Sequence, residues 1–267
     1  MTFSLTWVDA FTDKMFAGNQ AGVCIVSEAE PLMADYMQSL AAELAIAETA
    51  FVSPTAQPDT FDLRWFSPLV EIDLCGHATL ASAHALRQHG VVDGTKPVSF
   101  RTRSGVLIAS FEGDLIELDF PADPITAMPL PAELTGEWGH DEVVSAGSTS
   151  FFAVVILTNA DAVRGYQPDL QAIAATGYKA LLLTAAADPG SQADYVLRVF
   201  GPNVGIDEDP ATGSAQCAAG PYWAEALGRP ALVAHQLSPR GAVLFVRPEG
   251  PRVHIGGNAV TVFTGYL

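Results

Sequence analysis

A chain of 267 residues is long enough for two modest domains or one large one, with material for buried cores. Its 13 Lys and Arg against 30 Asp and Glu give a formal charge of −17, which argues against nucleic acid and anionic membrane as partners. Cys24, Cys75 and Cys217 are widely spaced with no C-x-x-C pair, which suits a reducing cytoplasm and speaks against a zinc or redox centre.

The opening MTFSLTWVDA lacks the basic and apolar regions of a signal peptide, and the longest apolar runs are strand-length. In chain order, TWVDAF and AGVCIV predict strands, joined through FAGNQAGV. Asn19 in that connection reads either as part of a hairpin turn or as a polar group for a ligand. MADYMQSLAAEL predicts a helix, and TAFVSP and FDLRWF predict strands. Glu48 stands where the apolar helix hands over to an apolar strand; burial there would raise its pKa and suit it to acid/base work, a solvated loop glutamate being the plain alternative.

Next comes CGHATLASAHAL, a Gly followed by a small-residue helix. Glycine permits close backbone approach, and the free N–H groups of a first helical turn favour an anion. His77 falls in that first turn, where the helix dipole is expected to keep the imidazole neutral. His84 reads as a packed helix residue. SFEGDLIELDF predicts a hairpin turning at Glu112-Gly113, and the proline-rich PADPITAMPLPAELTGEWG reads as a linker.

The second half repeats this order: FFAVVIL a strand, PDLQAIAATG a helix closed by Gly177, ALLLTAA and DYVLRVF strands. RWFSPLVEID and RVFGPNVGID are near copies, with Arg64 and Arg198 separated by 134 positions. Gly76 and Gly213 are 137 apart, as are the turns at Glu112-Gly113 and Glu249-Gly250, so the second copy carries a three-residue insertion. The insertion makes the acidic Asp207-Glu208-Asp209 before P-A-T-G-S, which reads either as a surface turn or as part of a site with Gly213 and Ser214 at the next helix start. Domains of 1–124 and 125–267 follow, with the last strand free to return to the first and the site in the cleft between them. No metal-ligand spacing, nucleotide loop or G-x-S-x-G occurs.

FAGNQAGV, AETAF with Glu48, RWFSP, DLCGHATLASAH and GIDEDPATGSA, in that order and closed by VTVFTGYL, resemble the phenazine-biosynthesis PhzF-like family over nearly the whole chain. The resemblance implies an α+β fold of the diaminopimelate-epimerase type: two pseudo-symmetric domains, each a curved sheet around a central helix. It also implies a homodimer without metal or organic cofactor that isomerises a small carboxylate-bearing metabolite by proton transfer, as in the isomerisation of trans-2,3-dihydro-3-hydroxyanthranilate. By the same resemblance Glu48, His77 and Asp209 are catalytic, and Asn19, Gly76, Gly213 and Ser214 hold the substrate. The related epimerases use two cysteines; here Cys75 fills one position and Thr212 the other, which argues against a two-thiol enzyme. Gln20 replaces the family's usual proline, and Gly220-Pro221 inside the last helix is expected to kink it. An epimerase or racemase of another small acid, and a small-acid binding protein without turnover, are the competing readings.

Overall fold

The computed structural model describes residues 3–26, 33–139 and 141–266; Met1, Thr2 and Leu267 of the terminal motifs lie outside the described residues. The chain forms two compact units, Met1–Asp119 with Gly256–Leu267, and Phe120–Ile255.

In the first unit, β1 (Phe3–Ala10) and β2 (Asn19–Val26) pair antiparallel, and α1 (Ala34–Leu44) leads into β3 (Glu48–Pro54), which lies parallel to β2. The antiparallel β4 (Thr60–Phe66) and short β5 (Glu71–Ile72) follow, then α2 (Gly76–Gln88). β6 (Val98–Thr102) lies parallel to β4, and β7 (Gly105–Glu112) and β8 (Leu115–Pro121) form the expected hairpin, with Gly113 at φ +59°.

The second unit opens with β9 (Thr126–Ala127), β10 (Val143–Ser148) and β11 (Phe152–Leu157). α3 (Ala160–Gly165) and α4 (Leu170–Ala175) precede β12 (Ala180–Ala186), β13 (Tyr195–Phe200) and α5 (Gly213–Leu227). β14 (Leu232–Gln236), β15 (Ala242–Glu249) and β16 (Arg252–Gly257) complete it. The pairing of the first unit recurs: β11 and β12 parallel, β12 and β13 antiparallel, β13 and β14 parallel, β14 and β15 antiparallel. β17 (Ala259–Tyr266) returns to pair with β1. The change of unit at Asp119/Phe120 falls within β8, which runs extended to Pro121, and so precedes the domain boundary read between 124 and 125.

Each unit is thus α+β, a mixed sheet wrapped on a central helix, and the two repeat one plan. α2 packs against β1, β2, β3, β7 and β17, and nine of its 13 residues are buried. Its Ala78, Ala81, Ser82, Ala83 and Ala85 explain how: side chains this small let strands close on the helix from several directions. α5 packs against β12, β14 and β15. It stays helical through Pro221, and at Gly220 an added Cβ would come 2.6 Å from Cγ1 of Val246, so glycine sets the helix-to-sheet spacing. Among the described residues no helix is long and apolar enough to cross a membrane.

Candidate active site

The repeated motif first does structural work. Arg64 grips Glu71 through two parallel bonds of 2.7 and 2.8 Å and lies 5.1 Å over the Phe66 ring. Arg198 grips Glu208 at 2.7 and 2.9 Å and lies 4.8 Å over Phe200. Such planar, bidentate pairs fix geometry as well as charge. The acids are not aligned partners: the position 134 beyond Glu71 is Gly205, and the second clamp takes its carboxylate from the inserted acidic triplet. Glu208 therefore serves the loop's architecture, while Asp207 is exposed and Asp209 half-buried.

Each clamp holds the segment that enters a helix. In the first unit that helix start gathers titratable side chains. Cys75 is the extended N-cap of α2 (φ −143°, ψ 110°), no side chain caps the helix, and His77 lies in its first turn. Glu48 opens β3 beside Ala21, and Asn19 opens β2. These strand starts and the helix start converge: His77 Nε2 lies 3.0 Å from Oε2 of Glu48, and the Asn19 side-chain amide lies 3.2 Å from His77 Nδ1. The Cys75 sulfur is 3.6 Å from His77 Nδ1. Asn19, Glu48, Cys75 and His77 are all buried, at 0, 7, 7 and 6 % exposure. Glu48 is thus a buried carboxylate paired to a histidine, not a solvated loop residue.

The electrostatics reverse one expectation. Desolvation pulls the His77 pKa down, but Cys75 and Glu48, through charge and hydrogen bonding, outweigh it and hold the pKa well above the usual 6.5. Burial, which dominates for Cys75, raises its thiol pKa, with the Glu48 charge adding to the rise and His77 opposing it. Cys75 is therefore a thiol around neutrality, and the 3.0 Å contact with Glu48 favours the protonated form of His77. The helix dipole alone pointed the other way, because Glu48 is distant in sequence and its 3.0 Å approach exists only in the fold. A protonated His77 donates from both ring nitrogens, so at Nδ1 it meets the oxygen of the Asn19 amide, whose oxygen and nitrogen positions are an assignment from the hydrogen-bond network.

Glu48, Cys75 and His77 also bring one ligand atom each within 4.8 Å of one another, a geometry that motif spacing did not disclose. A soft divalent ion fits that donor set if it displaces the thiol proton, which burial of Cys75 opposes.

In the second unit the corresponding helix start is arranged differently. Thr212, the N-cap of α5, turns its hydroxyl away from the helix and donates to Oδ2 of Asp209 at 2.6 Å. Gln236, at the end of β14, clamps both ends of the loop: its Nε2 donates to the Asp209 carbonyl at 2.6 Å and its Oε1 accepts from the Thr212 amide at 2.8 Å. Gly213 is buried and Ser214 exposed. The structure thus gathers Asn19, Glu48, Gly76 and His77 around one helix start, and places Asp209, Gly213 and Ser214 around the other. Sequence reading missed Gln236 and the role of Cys75 as a neighbour of His77; nothing local marks a glutamine at a strand end as a loop clamp. His84 is, as expected, a packed residue, its Nε2 lying 3.0 Å from the Thr261 hydroxyl.

Two mixed-sheet units, each closed on a helix whose first turn carries the polar cluster, define an α+β protein of the epimerase-type fold. Structures with that fold include a hydroxyproline epimerase from Agrobacterium vitis, at TM-score 0.59 and 14 % identity, covering 100 % of this chain and 92 % of that one. The chain belongs to the phenazine biosynthesis-like (PhzC-PhzF) family, whose profile matches residues 8–265. A PhzF-family protein from Enterococcus faecalis superimposes at TM-score 0.93 with 34 % identity, covering 100 % of this chain and 99 % of that one. An uncharacterized isomerase of Pseudomonas aeruginosa is 41 % identical across 97 % of this chain and 96 % of its own. A phenazine biosynthesis-like domain-containing protein 2 of Mus musculus is 39 % identical over the same shares.

Proposed function

We propose that the protein is an isomerase of a small carboxylate-bearing metabolite, with Glu48 as the base and acid that moves one proton. The observation that carries this reading is the buried Glu48 carboxylate 3.0 Å from His77 at the uncapped start of α2. Two relatives named as uncharacterized isomerases support it. The Glu48 carboxylate takes a proton from a substrate carbon, the C–H electron pair forms a new double bond as an existing one shifts, and the Glu48 acid, its proton exchanged with solvent, protonates the far carbon. No oxidant or reductant is needed. His77 in its protonated form stabilises the anion that develops, and the first-turn amides of α2, beginning at Gly76, hold the substrate carboxylate. In the same proposal Asp209 is a further catalytic group, and Asn19, Gly213 and Ser214 help to hold the substrate.

The Cys75 thiol, 3.6 Å from His77, favours one second reading, an epimerase in which the thiol returns the proton to the same carbon. Turnover of candidate carboxylates in deuterium oxide separates the two. The isomerase reading expects a shifted double bond, deuterium at the far carbon, and turnover by Cys75→Ser within about threefold of wild type. Deuterium at an inverted stereocentre, lost in Cys75→Ser, would establish the epimerase instead.

A further inference from the structure

We propose that Phe16 is the specificity-determining residue of the first unit, selecting substrates that carry an apolar side group, and that Asp9 is its positioning residue. This deepens the function proposed above and rests on Glu48 and His77 being the acid/base pair.

The β1–β2 connection, residues 11–18, leaves the end of β1 at Ala10, which pairs with Asn19. Two residues beyond Asn19, Ala21 pairs with Glu48. The loop therefore springs from the strand ends that carry two of the cluster's side chains. Phe16 precedes Asn19 by three residues, so its Cα lies within roughly 11 Å of that residue's by chain length alone.

The loop is rigidly specified. Phe11 (φ +62°) turns its ring into the core at 0 % exposure. Thr12 donates its amide to Asn258 O at 3.2 Å. Gly18 (φ +63°) sits where a Cβ would fall 2.1 Å from the Ala10 carbonyl oxygen. Phe16 itself is left-handed at φ +69°, a conformation that bulky residues rarely adopt, and its amide donates to Oδ2 of Asp9 at 2.6 Å. The Asp9 carboxylate is wholly buried.

Yet the Phe16 ring is 72 % exposed. A strained backbone and a buried acidic side chain are thus used to hold an aromatic residue out in solvent, a few residues from the acid/base pair. Burying the ring in the core cannot be its purpose, and strain of this kind is retained at sites that meet ligands. Leu74, immediately before Cys75, is exposed as well at 42 %, so apolar groups stand on two of the chain segments that enter the cluster. A substrate whose carboxylate meets the start of α2 and whose side group is alkyl or aromatic satisfies both features. A surface for a second copy of the chain is the rival use of an exposed ring.

The test compares wild type with Phe16→Gly and Phe16→Ala on a panel of small unsaturated carboxylic acids of matched length bearing hydrogen, alkyl or aromatic side groups, read as deuterium exchange in deuterium oxide. The wild type is expected to prefer the alkyl and aromatic acids, and both variants to lose at least about tenfold of that preference in kcat/KM. Phe16→Gly is expected to melt no lower than wild type, since glycine adopts φ +69° freely, which separates lost selectivity from lost folding. Asp9→Asn, which keeps an oxygen for the Phe16 amide, is expected to retain more of the preference than Asp9→Ala. Exchange by the wild type with an unchanged preference in both Phe16 variants overturns the proposal and leaves Glu48 as the base. A change in sedimentation with preference intact also overturns it, making Phe16 an interface residue. Failure of the wild type to exchange any acid overturns the acid/base reading and this proposal with it.

Discussion

At the start of α2 the first-turn amides stand beside Cys75 and a buried His77 in contact with a buried Glu48. At the start of α5 the matching positions, 137 later, hold Thr212 and an exposed Ser214. The residue opening the equivalent strand β12, where β3 has Glu48, is Ala180. What the units share is structural: the strand pairing, the arginine clamp over a phenylalanine, and a helix start without a side-chain cap. What they do not share is titratable chemistry, concentrated in the first. Repetition supplied a scaffold, and divergence at three positions separated a buried Glu–His pair from a hydroxyl-lined start whose carboxylate, Asp209, is bound to Thr212.

The clamps offer the largest effect that can break this comparison. Arg198→Met leaves Glu208 mostly buried and unpaired and strips a 2.7 Å bond from the Tyr166 carbonyl, and is expected to cost about 3–5 kcal/mol in denaturant unfolding. Arg64→Met is expected to cost about 1 kcal/mol, because Arg64 is more exposed and Glu71 keeps Arg103 at 2.7 Å. Equal losses would show that the clamps bear equal loads.

Thr212→Val sharpens the second unit's side. It removes the hydroxyl bond to Asp209 but leaves the Gln236 bonds to backbone, with an expected cost of about 1 kcal/mol and about a tenfold fall in turnover. Unchanged turnover would separate Asp209 from the reaction.

A smaller effect tests the first unit's electrostatics. Because the folded His77 holds its proton more tightly than the unfolded chain, its contribution to stability is complete below the unfolded value near 6.5 and fades as pH rises through the elevated folded pKa. Thermal melting from pH 6 upward is expected to show that decline in wild type and a flatter profile in His77→Gln. A profile unchanged by the substitution would contradict the pairing with Glu48.

Much of this was legible in the chain. Glu112-Gly113 and Glu249-Gly250 turn as read, with both glycines at positive φ, because turn chemistry is local. The repeat order was legible because strand and helix periodicities survive divergence of individual residues. The protonation of His77 was not, since a first-turn position reveals the dipole while the decisive charge arrives from another strand. Nor was the division of labour inside Asp207-Glu208-Asp209, where only the fold tells the exposed acid from the clamp and from the Thr212 partner. Asp9 read as an ordinary strand residue, and its bond to Phe16 depends on a loop conformation that composition does not encode.

The central claim is that the buried Glu48 moves the proton. The most direct measurement is solvent-deuterium incorporation into a turned-over carboxylate by wild type and Glu48→Gln, with binding of the same carboxylate by calorimetry. The expected result is a loss of about 10²–10⁴-fold in exchange with affinity nearly unchanged. Exchange by Glu48→Gln at the wild-type rate would contradict it.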